Sequence, residues 1–270
     1  ADYARLIQAV DRQRFIDAYP LDIRPTTDDR PFFFHTTRLA DQFDVAFGRS
    51  MLFGNGLSAL LTLFGISAGL VALFVIVPLL VGGGRPASGW FGWLAYFGTL
   101  GAGFMLLEVA MLQRFVLLLG HPVYSLTVTL FSLLLGTGLG SFLSRVVDEP
   151  RVRRVTMTAL LAIVVVAVVT RFAIPWLVDA AIPWPLAVRI GVAVAILVPV
   201  GILLGMALPG GMRLLAARRP ELAPWGWGMN GAFSVVGATL AVFIAMNWGF
   251  STTFLAAASV YAVAAAVFPK

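Results

Sequence analysis

From Gly56 onward the chain is a succession of apolar runs separated by short polar breaks. About 20 apolar residues in a helix cross the roughly 30 Å of a bilayer's hydrocarbon. The runs at 56–81, 90–119, 123–146, 155–174, 186–208, 227–246 and 251–268 therefore predict an all-α, polytopic transmembrane helix bundle of about seven spans. Gly120 suits the end of the second helix and Pro122 the first turn of the third, which leaves a tight turn between them. The last two spans are separated only by "NWGF" and predict a hairpin. The stretches "GGGRPASG" (82–89) and "DEPRVRR" (148–154) read as loops, the second one charged.

The first fifty residues follow another pattern. Leu6, Ile7, Val10, Phe15 and Ile16 recur near helical spacing among Arg and Asp, which predicts an amphipathic helix over 3–19. Pro20, Pro25 and Pro31 stop it, so "DIRPTTDDRPFFFH" is extended or turned. The division is an extramembrane segment at 1–50 and a transmembrane bundle at 51–270. Ala1 and the charged residues after it suggest a piece of a longer polypeptide.

Composition agrees with the spans. The chain is 60% hydrophobic and 12% charged, about half the charge of a typical soluble domain. Residues 1–50 hold seven Arg and eight Asp, whereas 51–270 hold eleven Arg, one Lys and five acids. The excess positive charge thus sits in short loops beside apolar spans, which points to membrane topology rather than nucleic acid. The Arg-rich loops 145–154 and 213–219 are expected in the cytoplasm, and seven spans would put residues 1–50 outside. Trp90, Trp93, Trp176, Trp184, Trp225, Trp227 and Trp248 mark span ends, as an interfacial belt does. Glycines inside the spans read as close helix packing. The absence of cysteine excludes disulfides and thiolate chemistry. Two histidines, His35 and His121, offer no metal-ligand cluster. "GTGLGS" (136–141) lies late in an apolar span with no strand before it, so it is not a nucleotide fingerprint.

Candidate chemistry is sparse. Glu108 lies inside an apolar run, where an ionisable group must be protonated, paired or turned to a polar cavity. Asn230, Ser234 and Thr137 are its candidate partners on other helices. Arg114 falls near the far interface and reads as a snorkelling residue. Gln113 and His121 complete the intramembrane polar set, with His121 a helix cap or a proton carrier. Asp28 and Asp29 read as turn residues between prolines. Arg30 is expected to pair with one of them or with a loop of the bundle. Phe32, Phe33 and Phe34 are too apolar to face water together and are expected to dock on the bundle's rim. The segment becomes a clasp.

The stretches "PTTDDRPFFFH", "GFMLLEVAMLQRFVLLLGHPVYSLTVTLFSLLLGTGLGS", "GMALPGGMRLL" and "WGWGMNGAFSVVGATLAV" together resemble the C-terminal membrane part of bacterial fused proteins that are spermidine synthase-like and major-facilitator-like. The resemblance covers nearly the whole chain. It implies an extra span at 56–81 plus a six-helix, major-facilitator-like half, in a bacterial inner membrane. It maps Glu108, Gln113, Arg114, His121 and Asn230 onto motif positions without giving them roles. No Rossmann-type, S-adenosyl-binding unit occurs in residues 1–50, so no synthase residue is carried over, and no cofactor is expected within this chain. An S-adenosyl-using domain belongs inside the cell, whereas seven spans put residues 1–50 outside, and both placements stay open.

Three functions remain in play. The first is transporter-like handling of a small solute, a cation among the candidates, with Glu108 in a polar intramembrane site. The second is an accessory subunit of a larger membrane complex. The third is a membrane anchor for a spermidine synthase-like enzyme whose catalytic domain lies elsewhere. The expected partners are the lipid bilayer and either another membrane chain or a further part of the same polypeptide.

Overall fold

Apolar runs this long satisfy their backbone groups internally only as helices, and the computed structural model is helical throughout its bundle. It describes residues 11–33, 35–42, 56–73, 77–81 and 89–269. Before the bundle come α1 (Arg12–Ala18) and a 3₁₀ turn (Leu39–Asp41). Six long helices follow the two short ones: α2 (Gly56–Val71), α3 (Val77–Val81), α4 (Trp90–Leu119), α5 (Pro122–Arg145), α6 (Glu149–Ala181), α7 (Leu186–Arg218), α8 (Ala223–Trp248) and α9 (Phe250–Val267). The six from α4 to α9 are long and apolar enough to cross a membrane, so the chain is a multi-pass helical membrane protein.

The turn at 119–122 forms as its residues predict. Gly120 ends α4 at φ +77°, and Pro122 opens α5 behind the cap His121. Elsewhere the helices run past the expected boundaries. The charged loop expected at 148–154 is helical from Glu149, because Pro150 suits a first turn and an acid there complements the helix dipole. Helix α6 continues through Pro175, and α7 through Pro199 and Pro209, to Arg218. Membrane helices accommodate such prolines because neighbouring groups re-satisfy the freed backbone. Of the expected span at 56–81, α2 and α3 are described, and 74–76 lie outside the described residues.

The packing repeats itself. Helix α5 lies along α7 as α8 lies along α4, α4 meets α9 as α7 meets α6, and α6 and α9 face each other. Exchanging α4–α6 with α7–α9 maps these contacts onto themselves. Successive spans alternate in direction, so the two three-helix units have opposite orientations. Small residues permit the closest approach: a Cβ on Gly136 or Gly140 would strike the Val198 or Ile202 carbonyl of α7. Helix α4 is the central column, with Trp93, Tyr96, Phe97, Leu106, Leu107, Met111 and Phe115 buried. The Tyr96 hydroxyl donates to the Ala207 carbonyl at 2.7 Å, which pins α4 to α7.

Candidate functional site

Two polar regions stand out, one at a rim of the bundle and one within it. The rim region starts from the turn Thr27–Asp28–Asp29–Arg30, closed by Arg30 N–H donating to Thr27 O at 2.9 Å and by the Thr27 hydroxyl accepting the same N–H at 3.2 Å. This turn presents Asp29 to the start of α9. There the first N–H groups of the helix lack partners of their own. Phe250 N–H donates to Asp29 O at 2.9 Å, and Ser251 N–H donates to Asp29 Oδ1 at 2.7 Å. Asp29 thus caps a transmembrane helix more than two hundred residues away, with its charge at the favourable end of the dipole. Gly249, at φ +88°, leaves room for it, and any Cβ there would strike the carboxylate.

Arg114 completes the joint. Its Nη2 donates to Asp29 Oδ1 at 2.6 Å and to Ser251 Oγ at 2.8 Å, and its Nη1 to Asp28 O at 3.4 Å. Arg114 is buried, so it is the counter-ion of the clasp rather than a snorkelling side chain. The α4 register turns it inward beside the α8–α9 hairpin, which span length alone does not reveal. Arg30 pairs with Asp22 at 3.0 Å, not with its neighbours Asp28 or Asp29. Asp22 also binds Arg24 at 2.7 Å, and these hydrogen bonds from Arg24 and then Arg30 hold its carboxyl well below the usual carboxylate range despite its burial.

A second contact grips the same hairpin. Gln42, wholly buried, donates through Nε2 to Asn247 Oδ1 at 2.6 Å, and His35 Nε2 lies 3.2 Å from the same nitrogen. Burial pushes the His35 pKa below its ordinary value, and a neutral ring can accept from Gln42. Phe32 stacks obliquely on Phe250 with ring centroids 5.8 Å apart. Phe33 is 73% exposed, and Phe34 lies outside the described residues. Asp28 is exposed and contributes its carbonyl. His121 caps α5, accepting from Val123 N–H at 3.2 Å, and Gln113 is exposed.

The internal region is a half-open cavity of about 390 Å³ between α4, α5, α7 and α8. Its walls carry Thr137 and Ser141 of α5, Asn230 and Ser234 of α8, and Gly205 of α7. Pro209, also at the wall, has no N–H for the Gly205 carbonyl, which frees an acceptor there. Asn230 donates to Phe97 O at 3.4 Å, Ser234 to Asn230 O and Thr137 to Leu134 O. None of them reaches Glu108. Glu108 is half-buried and makes no hydrogen bond or ion pair among the described residues. It follows Gly101, Phe104 and Met105 on one helical stripe, all three of which line the cavity, and so lies one turn beyond its wall. Among the described residues no group of three or more His, Cys, Asp or Glu side chains gathers as a metal site.

The class that fold and site define is a multi-pass helical membrane protein with a capped rim and a polar cavity between its spans. Compared with protein families, curated proteins and solved structures, the chain matches none of them.

Proposed function

We propose that the chain is a transporter-like membrane domain whose cavity receives a small, cationic solute. The observation that carries this reading is the cavity of about 390 Å³ with an amide and four hydroxyl side chains on its walls, Tyr261 among them, and an unpaired carboxylate one turn beyond. Binding pockets for small molecules are of this size and combine apolar walls with a few polar groups. Intramembrane carboxylates are costly and mark ligand or ion paths. The inverted pairing of α4–α6 with α7–α9, and Pro209 inside α7 at the cavity wall, also suit a transporter half. This reading agrees with the resemblance to major-facilitator-like membrane proteins and to a bacterial inner-membrane location with the Arg-rich loops inside.

A seventh crossing by residues 56–81 belongs to the same proposal. Gln42 sits at the rim near Asn247, while Trp90 starts α4 about 36 Å from Arg114 at the other end of the bundle. The chain between them has to run from one end to the other. The clasp favours a second reading, that of an anchor or accessory unit that holds a spermidine synthase-like or other soluble partner at the rim. Both roles can coexist in one molecule.

The test is a thermal-shift panel of small mono- and diamines against neutral and anionic isosteres, on the full chain in detergent. An amine-selective rise in Tm that Asn230→Leu abolishes supports the cavity reading. No amine-selective response, or one that Asn230→Leu leaves intact, removes it and leaves the anchor.

A further inference from the structure

Serine and threonine in a membrane helix ordinarily donate to a carbonyl one turn back, and this chain follows that habit. Thr99, Thr170, Ser234, Thr252 and Ser259 all do so. Thr129 and Ser132 of α5 do not. Both side chains are wholly buried, and neither hydroxyl has a hydrogen-bond partner among the described residues. Leaving buried hydroxyls unpaired is costly, so two of them on one face of one helix require an account.

Their neighbours supply it. The Ser125 hydroxyl donates to Leu112 O at 2.6 Å and sets the register of α5 against α4, which run antiparallel from the tight turn. One turn further along α5, Thr129 is level with Glu108 one turn back along α4, and both belong to the facing stripes. On the other side, Gly136 closes on Val198 and Gly201 of α7, so Ser132, one turn back, is level with 194–197. A carboxylate and two hydroxyls thus lie close in level along the seam of α4 and α5 beside α7, and none has a hydrogen-bond partner among the described residues.

We propose that this seam binds a sodium ion through Glu108, Thr129 and Ser132. All three side chains offer hard oxygens, the donors preferred by hard cations. A monovalent ion neutralises the single carboxylate, whereas a divalent ion would leave a buried positive charge. The full burial of both hydroxyls favours a small dehydrated ion over an organic ammonium, whose place is the cavity one turn away. The site goes beyond the solute reading and does not depend on it.

The experiment measures Tm of the full chain in detergent as sodium chloride replaces rubidium chloride at constant ionic strength, with potassium chloride in parallel. Saturating sodium should raise Tm by roughly 5 °C, and potassium should not. Glu108→Gln should abolish the rise. Thr129→Val, close to isosteric, should shift the half-saturating sodium concentration about tenfold or more upward, as should Ser132→Ala. An equal rise in potassium overturns the proposal, as does a response to pH alone. So does a folded Thr129→Val protein with the wild-type sodium response, which would mean that water fills the seam. The amine panel reads the cavity independently: sodium dependence without amine response removes the transport reading alone, and the reverse removes the sodium site alone.

Discussion

The rim and the interior of this bundle use polar residues in opposite ways. At the rim each buried charge has a partner. Asp29 meets Arg114 and the start of α9, and Asp22 meets Arg24 and Arg30. At the opposite end of the bundle Arg213 donates to the Ser144 and Val147 carbonyls at the end of α5, and on the clasp side Arg189 donates to the Ile182 and Trp184 carbonyls after α6. These cations sit where helix C-termini leave carbonyls open and the dipole is negative. Inside, Glu108, Thr129 and Ser132 have no partner among the described residues. Saturated polar groups hold a structure together, whereas unsaturated ones in a low-dielectric interior are retained for something that binds them. The proposals above follow this difference: assembly at the rim, ligands in the interior.

The largest effect that would break this division is at Asp29. Asp29→Ala strips an acceptor from Ser251 N–H and leaves Arg114 buried without its counter-ion. The expected loss is about 2–4 kcal/mol, read as thermal or denaturant unfolding in detergent. A loss within experimental error would mean that the clasp is an ornament on an independently stable bundle. A smaller effect is the response to pH at His35. Its folded pKa lies below the unfolded value near 6.5, so the unfolded chain binds the proton first. The stability it contributes is present above about pH 6.5 and falls as pH drops from there toward the folded pKa. A protonated ring would present an N–H to the Gln42 amide nitrogen, which is already a donor to Asn247. The decline in Tm between neutral and mildly acidic pH should therefore flatten in His35→Phe; an unchanged slope would place the titration elsewhere. The smallest effect is at Glu108. In sodium-free buffer Glu108→Gln should change stability by less than about 1 kcal/mol, because no partner is lost. A drop as large as that of Asp29→Ala would make Glu108 structural.

The six long helices were legible because apolar run length and flanking tryptophans are local signals. The turn at Gly120 and Pro122 was legible for the same reason. Helix ends were not, since Glu149–Arg154 is mostly charged and 209–218 opens with Pro-Gly-Gly, yet both are helical beyond the apolar run. Glu108 was found by its charge in an apolar context, and Asp29 by its place between prolines. Their partners were not, because Arg114 lies 85 residues from Asp29 and Gln42 lies 205 from Asn247. No periodicity links such positions. Thr129 and Ser132 carried no sequence signal beyond hydroxyls at helical spacing, and only their missing hydrogen bonds set them apart.

The central claim, that the interior is a site open to aqueous ligands, is tested most directly by thiol labelling in this cysteine-free chain. Ser234→Cys, at the cavity wall, should react with a small charged methanethiosulfonate reagent far faster than Ala245→Cys, which lies buried on the same helix. Equal, slow labelling of both would show a sealed interior and contradict the account.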